Sequence, residues 1–580
     1  MRISRILAVG VSLCLAAVLA HAASNPKLHQ AKPVHAASVT PPPVLPNCAY
    51  QNINIAKYGQ QPFVDAPVIR ADDTTHKLTA ALDVRYSDRA TTTIAGCHVH
   101  LRTYNGALVG PTLRVHPGDQ MDITLTNDLP ENGAVCTTPE EMAMGHMSEA
   151  ESEKVLSVTN LHTHGLHVSP SGISDNIFIQ ICPGGKTQHY VIDVPKDQPP
   201  GTYWYHAHVH GSTAVQVSSG MEGAIIVDGG QDMLPQIAKA KERIFVLQQI
   251  AYNQQGEIES LSQLTPSSWP DSKRYLTVNG QIAPVITMHP GEVQLWRFVH
   301  GGVRETINLR APTPATPLNE IATDGNATGR VDAWQLLELE PGYRSDVLFK
   351  APMLTAGQTK TTIYLRTAVV QGAQRLQFRT GVPRAQLNAE LAKIQPSQVV
   401  AVIEISGAPE DMQLPSDAEL APFVPFKPIT ADELNGAEQH MAFSIQNAVC
   451  KGDAPCTPCT PPATGPSDCG IRFMVDMHQY PDSPTRLIKL NTASKWDLSV
   501  APASVAPVHP FHIHVNPFWM ERAGPDGKPQ MVWKDTLLIH QNAPVSVLSR
   551  YTDFDGAFVL HCHILDHEDQ GMMQKVEIVK

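Results

Sequence analysis

An internal repeat constrains the fold more than any other feature of this chain. Pro111-Thr-Leu-Arg-Val-His116-Pro-Gly-Asp119 matches Pro284-Val-Ile-Thr-Met-His289-Pro-Gly-Glu292 position for position. Each copy reads as an alternating strand, a Pro-Gly turn and a second alternating run, MDITLTN in one and VQLWRFV in the other. Such repetition means that one supersecondary unit is used more than once. A second repeat joins the two ends of the chain, where Gly201-Thr-Tyr-Trp-Tyr-His206-Ala-His208 resembles Gly556-Ala-Phe-Val-Leu-His561-Cys-His563. Together they predict an all-β chain of three consecutive β-sandwich domains, at 48–230, 240–405 and 425–580. A length of 580 residues exceeds one ordinary core, and 48 prolines with 38 glycines favour short strands over long helices.

The remaining segments read as extensions and connections. Residues 1–22 have the pattern of a signal peptide: Arg2 and Arg5, an apolar run from Ile6 to Leu19, and the small-residue site Ala20-His21-Ala22. Residues 23–47 form a Pro-rich leader, 131–155 a surface insertion with acids and methionines, 406–435 a linker and 450–470 a cysteine-bearing loop. No later run is long enough to span a membrane, so an exported protein, periplasmic or extracellular, is expected. Export permits disulfides. Setting aside Cys14 and Cys562, the cysteines at 48, 97, 136, 182, 450, 456, 459 and 469 allow at most four bridges, with the connectivity open. A formal net charge of −12 without basic blocks argues against nucleic acid as a partner.

Chemistry concentrates in four segments: His162-Thr-His164-Gly165, His206-Ala-His208, His509-Pro-Phe-His512-Ile-His514, and His561-Cys562-His563 followed by His567 and Met572. Side chains at i and i+2 of a strand share a face, and i+1 points to the other. Each His-x-His therefore offers two imidazoles to one place. Four such pairs, two from each outer domain, can converge between those domains and suit three copper ions. Cys562 must face away from His561 and His563. With His509 and His567 it makes a trigonal His2Cys set, and Met572 supplies a weak axial thioether, with Met573 as the alternative. The middle domain has Thr361-Thr-Ile-Tyr-Leu-Arg-Thr367 where its neighbours have histidines, and is expected to act as a spacer without metal. His98-Val-His100 is an isolated pair and is read as carrying no metal.

HTHG, YHAH, HPFHIH and HCHILDHEDQGM resemble the four copper-binding signatures of the laccase-like multicopper oxidases, and the likeness extends to GPTLRVHPGD and LTVNGQIAP. The resemblance implies cupredoxin-like Greek-key domains and four copper ions. It implies that His162 and His512 hold the type 2 copper. It also implies that His164, His206, His208, His514, His561 and His563 hold the type 3 pair, and that His509, Cys562, His567 and Met572 hold type 1. Val515 departs from the glycine common after this motif. Ala207, opposite Cys562 in the repeat, leaves the first domain without a blue copper. The implied reaction couples four one-electron oxidations of a small reducing substrate to reduction of dioxygen to water, with electrons passing from Cys562 to His561 or His563.

Two carboxylates are expected to handle protons there: Asp175, matching the acid beside the type 2 copper in such enzymes, and Asp566, read as the donor to the type 3 site. His167 and His210 lie off the motif registers and are expected beside the ligands or at the surface. Met142-Ala-Met144-Gly-His146-Met147 reads as a mobile surface insertion, with a soft Cu(I) site as the alternative. A phenolic reductant leads, with Cu(I) or Fe(II) as the rival within the same chemistry. A non-catalytic electron carrier would have no use for eight further histidines.

Overall fold

The computed structural model describes residues 48–580 apart from 49–52, 54, 132, 135, 137–154, 266–267, 270–271, 273, 369–396 and 463–466. The leader, the signal-like segment and the methionines at 142–147 lie outside the described residues. Strands dominate, and six main sheets fall into three facing pairs. In the first pair, Leu78, Leu82, Ile123 and Ile192 on one sheet close against Leu113, Tyr203, Tyr205 and Ile225 on the other. The middle pair closes on Trp296, Phe298, Phe349 and Ile403, and the last on Phe443, Trp496, Phe511 and Leu560. Each core is built by alternation, with every second residue of a strand facing in.

The repeated motif is an arch that carries the chain from one sheet of a sandwich to the other. Thr112–Val115 and Gln120–Asn127 flank the first turn, Val285–Met288 and Val293–His300 the second. The acid that ends each motif explains its place: Asp119 Oδ2 accepts the His116 N–H at 2.7 Å, and Glu292 Oε2 accepts the His289 N–H at 2.6 Å. A third arch, Arg486–Lys489 to Thr492–Val500, has no such acid and turns instead at Asn491, whose φ is 61°. Asparagine is among the few side chains that accept that left-handed conformation. This copy escaped sequence comparison because its turn is chemically different.

Two connections are more ordered than their composition suggests. Phe63 enters the middle core, and its N–H donates to Val285 O at 2.9 Å, so the chain touches the second sandwich before it builds the first. The linker packs Met412, Leu414 and Leu420 on the middle sandwich and then Phe426 and Ile429 against Trp533 of the last. Disulfides join Cys48 to Cys97, Cys136 to Cys182, Cys450 to Cys456 and Cys459 to Cys469. The neighbours Cys456 and Cys459 therefore staple different partners. No helix among the described residues is long and apolar enough to cross a membrane.

Candidate metal centre

Two strand pairs, one in each outer sandwich, present the histidines. In the first, His162 lies opposite His206 and Thr163 opposite Tyr205. In the last, His512 lies opposite His561 and Phe511 opposite Cys562. Tyr203, Tyr205 and Ala207 point into the first core, so His206 and His208 point out of it. Phe511, Ile513, Leu560 and Cys562 point into the last core, so His512, His514, His561 and His563 point out. The spacing of HPFHIH also sends His509, in phase with Phe511 and Ile513, to the inner side. One strand thus serves two sites, one on each face.

The outward faces meet in a near two-fold arrangement. His162 stacks on His514 with centroids 3.9 Å apart, and His164 stacks on His512 at 3.8 Å. His208 meets His561 edge-on at 4.8 Å, and His206 meets His563 in the related way at 5.8 Å. Three compact ligand groups result: His162, His164 and His512; His164, His206 and His563; His208, His514 and His561. Trp204 stacks on His206 and forms one wall.

Most of these rings are fixed from behind, which leaves the other nitrogen aimed inward. His162 Nδ1 lies 3.0 Å from Asp175 Oδ2, and His164 Nε2 lies 3.2 Å from Asp535 Oδ1. His206 Nδ1 faces Ala207 O at 2.9 Å, and His512 Nδ1 faces Asp535 O at 2.8 Å. Glu568 spans two ligands, 3.3 Å from His208 Nδ1 and 3.0 Å from His561 Nδ1. The inward atoms His162 Nε2, His164 Nδ1, His206 Nε2 and His512 Nε2 are buried without hydrogen-bond partners. Each orphan costs about 1–3 kcal/mol in a dry core, and a cation that accepts several lone pairs removes that cost together. Burial pushes the cluster histidines His162, His164, His206, His208, His512, His514 and His563 below their ordinary range, leaving them neutral, the form that binds metal.

On the inner side, Cys562 Sγ lies 3.4 Å from His509 Nδ1 and 3.6 Å from His567 Nδ1. It is the free cysteine among the described residues. Burial pushes its thiol well up, so the thiolate forms only beside a cation. Met572 shares the core with Cys562, and its carbonyl accepts the Cys562 N–H at 3.1 Å. Met573 lies opposite His561 in register and packs on Ile177 and Val559, on the other face. Of the two methionines, Met572 is therefore the one on the Cys562 side. Both donor sets, imidazole-only outside and His2Cys with a thioether inside, fit copper.

Asp175 lies beside His162. It accepts the Thr163 N–H at 2.7 Å and touches His162, and burial raises its carboxyl to about 7. Asp566 does not serve the outer cluster: its carboxylate pairs with Arg304 of the middle sandwich, while Glu568, two residues on, reaches the histidines. The reason is local. After Cys562 the strand gives way, and the single helical turn Leu565–Asp569 follows, where alternation by two no longer predicts direction. Burial favours the neutral acid at Glu568, but His208 and His561 outweigh it and draw its carboxyl down to about 2. His167 bridges Val515 O and Asp553, and His210 is half-buried, edge-on against Tyr480. Val515 takes φ 48°, the left-handed conformation that Gly165 takes at 88° in the first domain. His100 stacks on Tyr86.

The middle sandwich does more than set a distance. Arg344 Nη1 donates to Asp535 Oδ1 at 2.9 Å and so stands behind His164, while Gly342 approaches His563 and His164 so closely that a Cβ there would lie about 3.1 Å from His563 Nε2. Neither Arg344 nor Asp535 has a local sequence signature, and Glu568, though inside HCHILDHEDQGM, was not singled out by it. Each acts across a domain boundary or from an irregular turn.

Comparison with known proteins gives a consistent result. Two multicopper oxidase family profiles match residues 154–232 and 464–580. A laccase of Bacillus stratosphericus is 23% identical over 521 residues, covering 83% of this chain and 91% of that protein. The multicopper oxidase mco of Staphylococcus haemolyticus is 22% identical over 490 residues, covering 82% and 83%. The solved multicopper oxidase of Campylobacter jejuni, described as a metallo-oxidase, superposes with a TM-score of 0.65 at 21% identity and covers 93% of this chain and 98% of that one.

Proposed function

This chain is a laccase-like multicopper oxidase, and on that premise we propose that its reductant is a small phenolic or aromatic molecule oxidised at the Cys562 site. It is a copper-dependent oxidoreductase that uses dioxygen as acceptor. Copper, when bound, supplies one-electron transfer at Cys562 and four-electron reduction of dioxygen to water at the histidine cluster. His509, Cys562, His567 and Met572 hold the type 1 ion. His162 and His512 hold type 2, and the groups His164, His206, His563 and His208, His514, His561 hold the type 3 pair. The first and last sandwiches thus each supply half of the outer site.

The observation that carries this reading is one strand end. His561-Cys562-His563 sends its thiol into the core and both imidazoles out, so one stretch of backbone joins electron entry to oxygen reduction. Asp175 orients His162, Glu568 orients His208 and His561, and both carboxylates are placed to hold or pass protons at those nitrogens. Laccase relatives support an organic reductant, and the last domain has no long methionine-rich segment to favour Cu(I). Export to the periplasm or beyond belongs to the same reading and is supported by four disulfides.

Oxygen uptake by the copper-loaded chain, measured in parallel with a phenol, Cu(I) and Fe(II), tests the assignment. Turnover with the phenol sustains it. Activity confined to the metal ions overturns the organic reductant, and a blue protein without oxygen uptake overturns the oxidase.

A further inference from the structure

Asp566 and Arg304 form a buried ion pair that the copper ligands alone do not explain. Arg304 lies in the middle sandwich, between the strands Val293–His300 and Ile307–Arg310. Its Nη2 pairs with Asp566 Oδ2, its Nε donates to Leu264 O at 3.2 Å, and its Nη1 lies 3.5 Å from His567 Nε2. The backbone locks the same two segments together, since the Leu565 N–H donates to Val303 O at 3.0 Å. His567 turns its Nδ1 toward Cys562 and rests its ring near Phe473, so its remaining nitrogen faces the guanidinium. Asp566 is fully buried and Arg304 is 9% exposed. Water therefore screens this pair little.

We propose that Arg304, clamped by Asp566, is a positioning residue that places a fixed positive charge against His567 and thereby sets the reduction potential of the blue site. A guanidinium keeps its charge at any working pH. The blue site carries one more positive charge when oxidised than when reduced. A cation beside its ligand therefore favours the reduced state and raises the potential, and a bare carboxylate at the same place favours the oxidised state. The pair is a dipole with its positive end on the ligand, and removing either end leaves the opposite charge behind. This rests on the reading of His509, Cys562 and His567 as type 1 ligands.

Redox titration of the blue absorption of the copper-loaded full chain, without oxygen at pH 7.5, tests it with Arg304→Gln, Asp566→Asn and Arg304→Lys. The expected results are a lower potential for Arg304→Gln, a higher one for Asp566→Asn, and one near the parent for Arg304→Lys. A pair with only a structural role would shift the first two together or leave both unmoved, and either result overturns the proposal. Should Arg304→Gln lose copper, the near-isosteric Asp566→Asn decides alone: a rise sustains the proposal, no change or a fall overturns it. A parent chain without a blue band would instead overturn the ligand assignment, which separates the two failures.

Discussion

Replacing Arg344 with methionine tests whether the middle sandwich supports the proposed oxygen site. The Arg344 side chain is fully buried; Nη1 donates to Asp535 Oδ1 at 2.9 Å and Gly342 O at 2.8 Å, Nε donates to Thr202 O at 3.3 Å, and Nη2 pairs with Asp535 Oδ2. Asp324, whose Oδ1 lies 3.8 Å from Arg344 Nη1, keeps a second partner in Lys534 Nζ at 2.9 Å, but Asp535 loses its guanidinium outright. Removing one member of a buried pair costs about 3–5 kcal/mol, because the other charge stays behind. Against about 5–15 kcal/mol for a typical fold, that is a large fraction. Arg344→Met should therefore lower the free energy of unfolding, read from chemical denaturation, by that amount. The double variant Arg344→Met/Asp535→Leu removes the stranded charge and should recover much of the loss, since an apolar replacement for a buried pair is often neutral. It should not recover the oxygen site, because Asp535 also holds His164. Copper content and the electron paramagnetic signal of the type 2 ion then separate the two roles. A loss under 1 kcal/mol for the single variant, or a full type 2 signal in the double, would refute the reasoning.

Two further outcomes follow from other contacts. Glu568→Gln keeps the shape but removes the charge shared by His208 and His561; it should leave the blue band intact and slow reoxidation by dioxygen about 10–100-fold, the usual scale for a group behind a metal ligand, and unchanged stopped-flow rates would count against it. Glu305, buried in the middle sandwich and only partly offset by Arg274, has its carboxyl raised to about 7. The folded state holds that proton to higher pH than the unfolded chain, so stability falls as pH rises from about 4.5 through 7. Glu305→Gln should flatten that fall, and parallel stability curves for parent and variant would exclude it.

What could be read from the residues was what local geometry determines. Alternation placed both imidazoles of each His-x-His on one face and Cys562 on the other, and the histidine rings converge accordingly. The two arches with Pro-Gly turns were legible because an acid caps each; the third, turning at Asn491, was not. Met572 and Met573 stayed open because adjacent residues differ only in which face they take, and that needed the pairing of His561 with Met573. Asp566 was misdirected for a related reason: the strand ends at Cys562, and the helical turn that follows rotates Glu568, not Asp566, toward the histidines. Arg304, Arg344 and Asp535 were invisible because their meaning lies in docking between sandwiches. No spacing along the chain encodes which guanidinium reaches which carboxylate across an interface.

On the proposed assignment only one of the outer sandwiches admits electrons, and the two differ locally to match. Their backbones coincide at the critical bond: the Ala207 N–H donates to Met221 O at 3.4 Å, as the Cys562 N–H donates to Met572 O at 3.1 Å. The first sandwich thus keeps a methionine as the matching backbone partner. Three residues before His162, where the last domain has His509, stands Thr159, bonded to Gln216 at 2.8 Å. Five residues after Ala207, where the last domain has His567, stands Ser212, whose hydroxyl is bonded to Val158 O and Val209 O at 3.1 Å. The inner face of the first sandwich thus has hydrogen-bonded hydroxyls where the last domain has His509 and His567, while its outer face retains both histidine pairs. A symmetric pair of sandwiches could build the oxygen site from its two outer faces, and on the proposed assignment Thr159, Ala207 and Ser212 on one inner face leave a single entry. Because the surviving thiol lies between two outward histidines, that entry is already joined by covalent bonds to the place where the electrons are used.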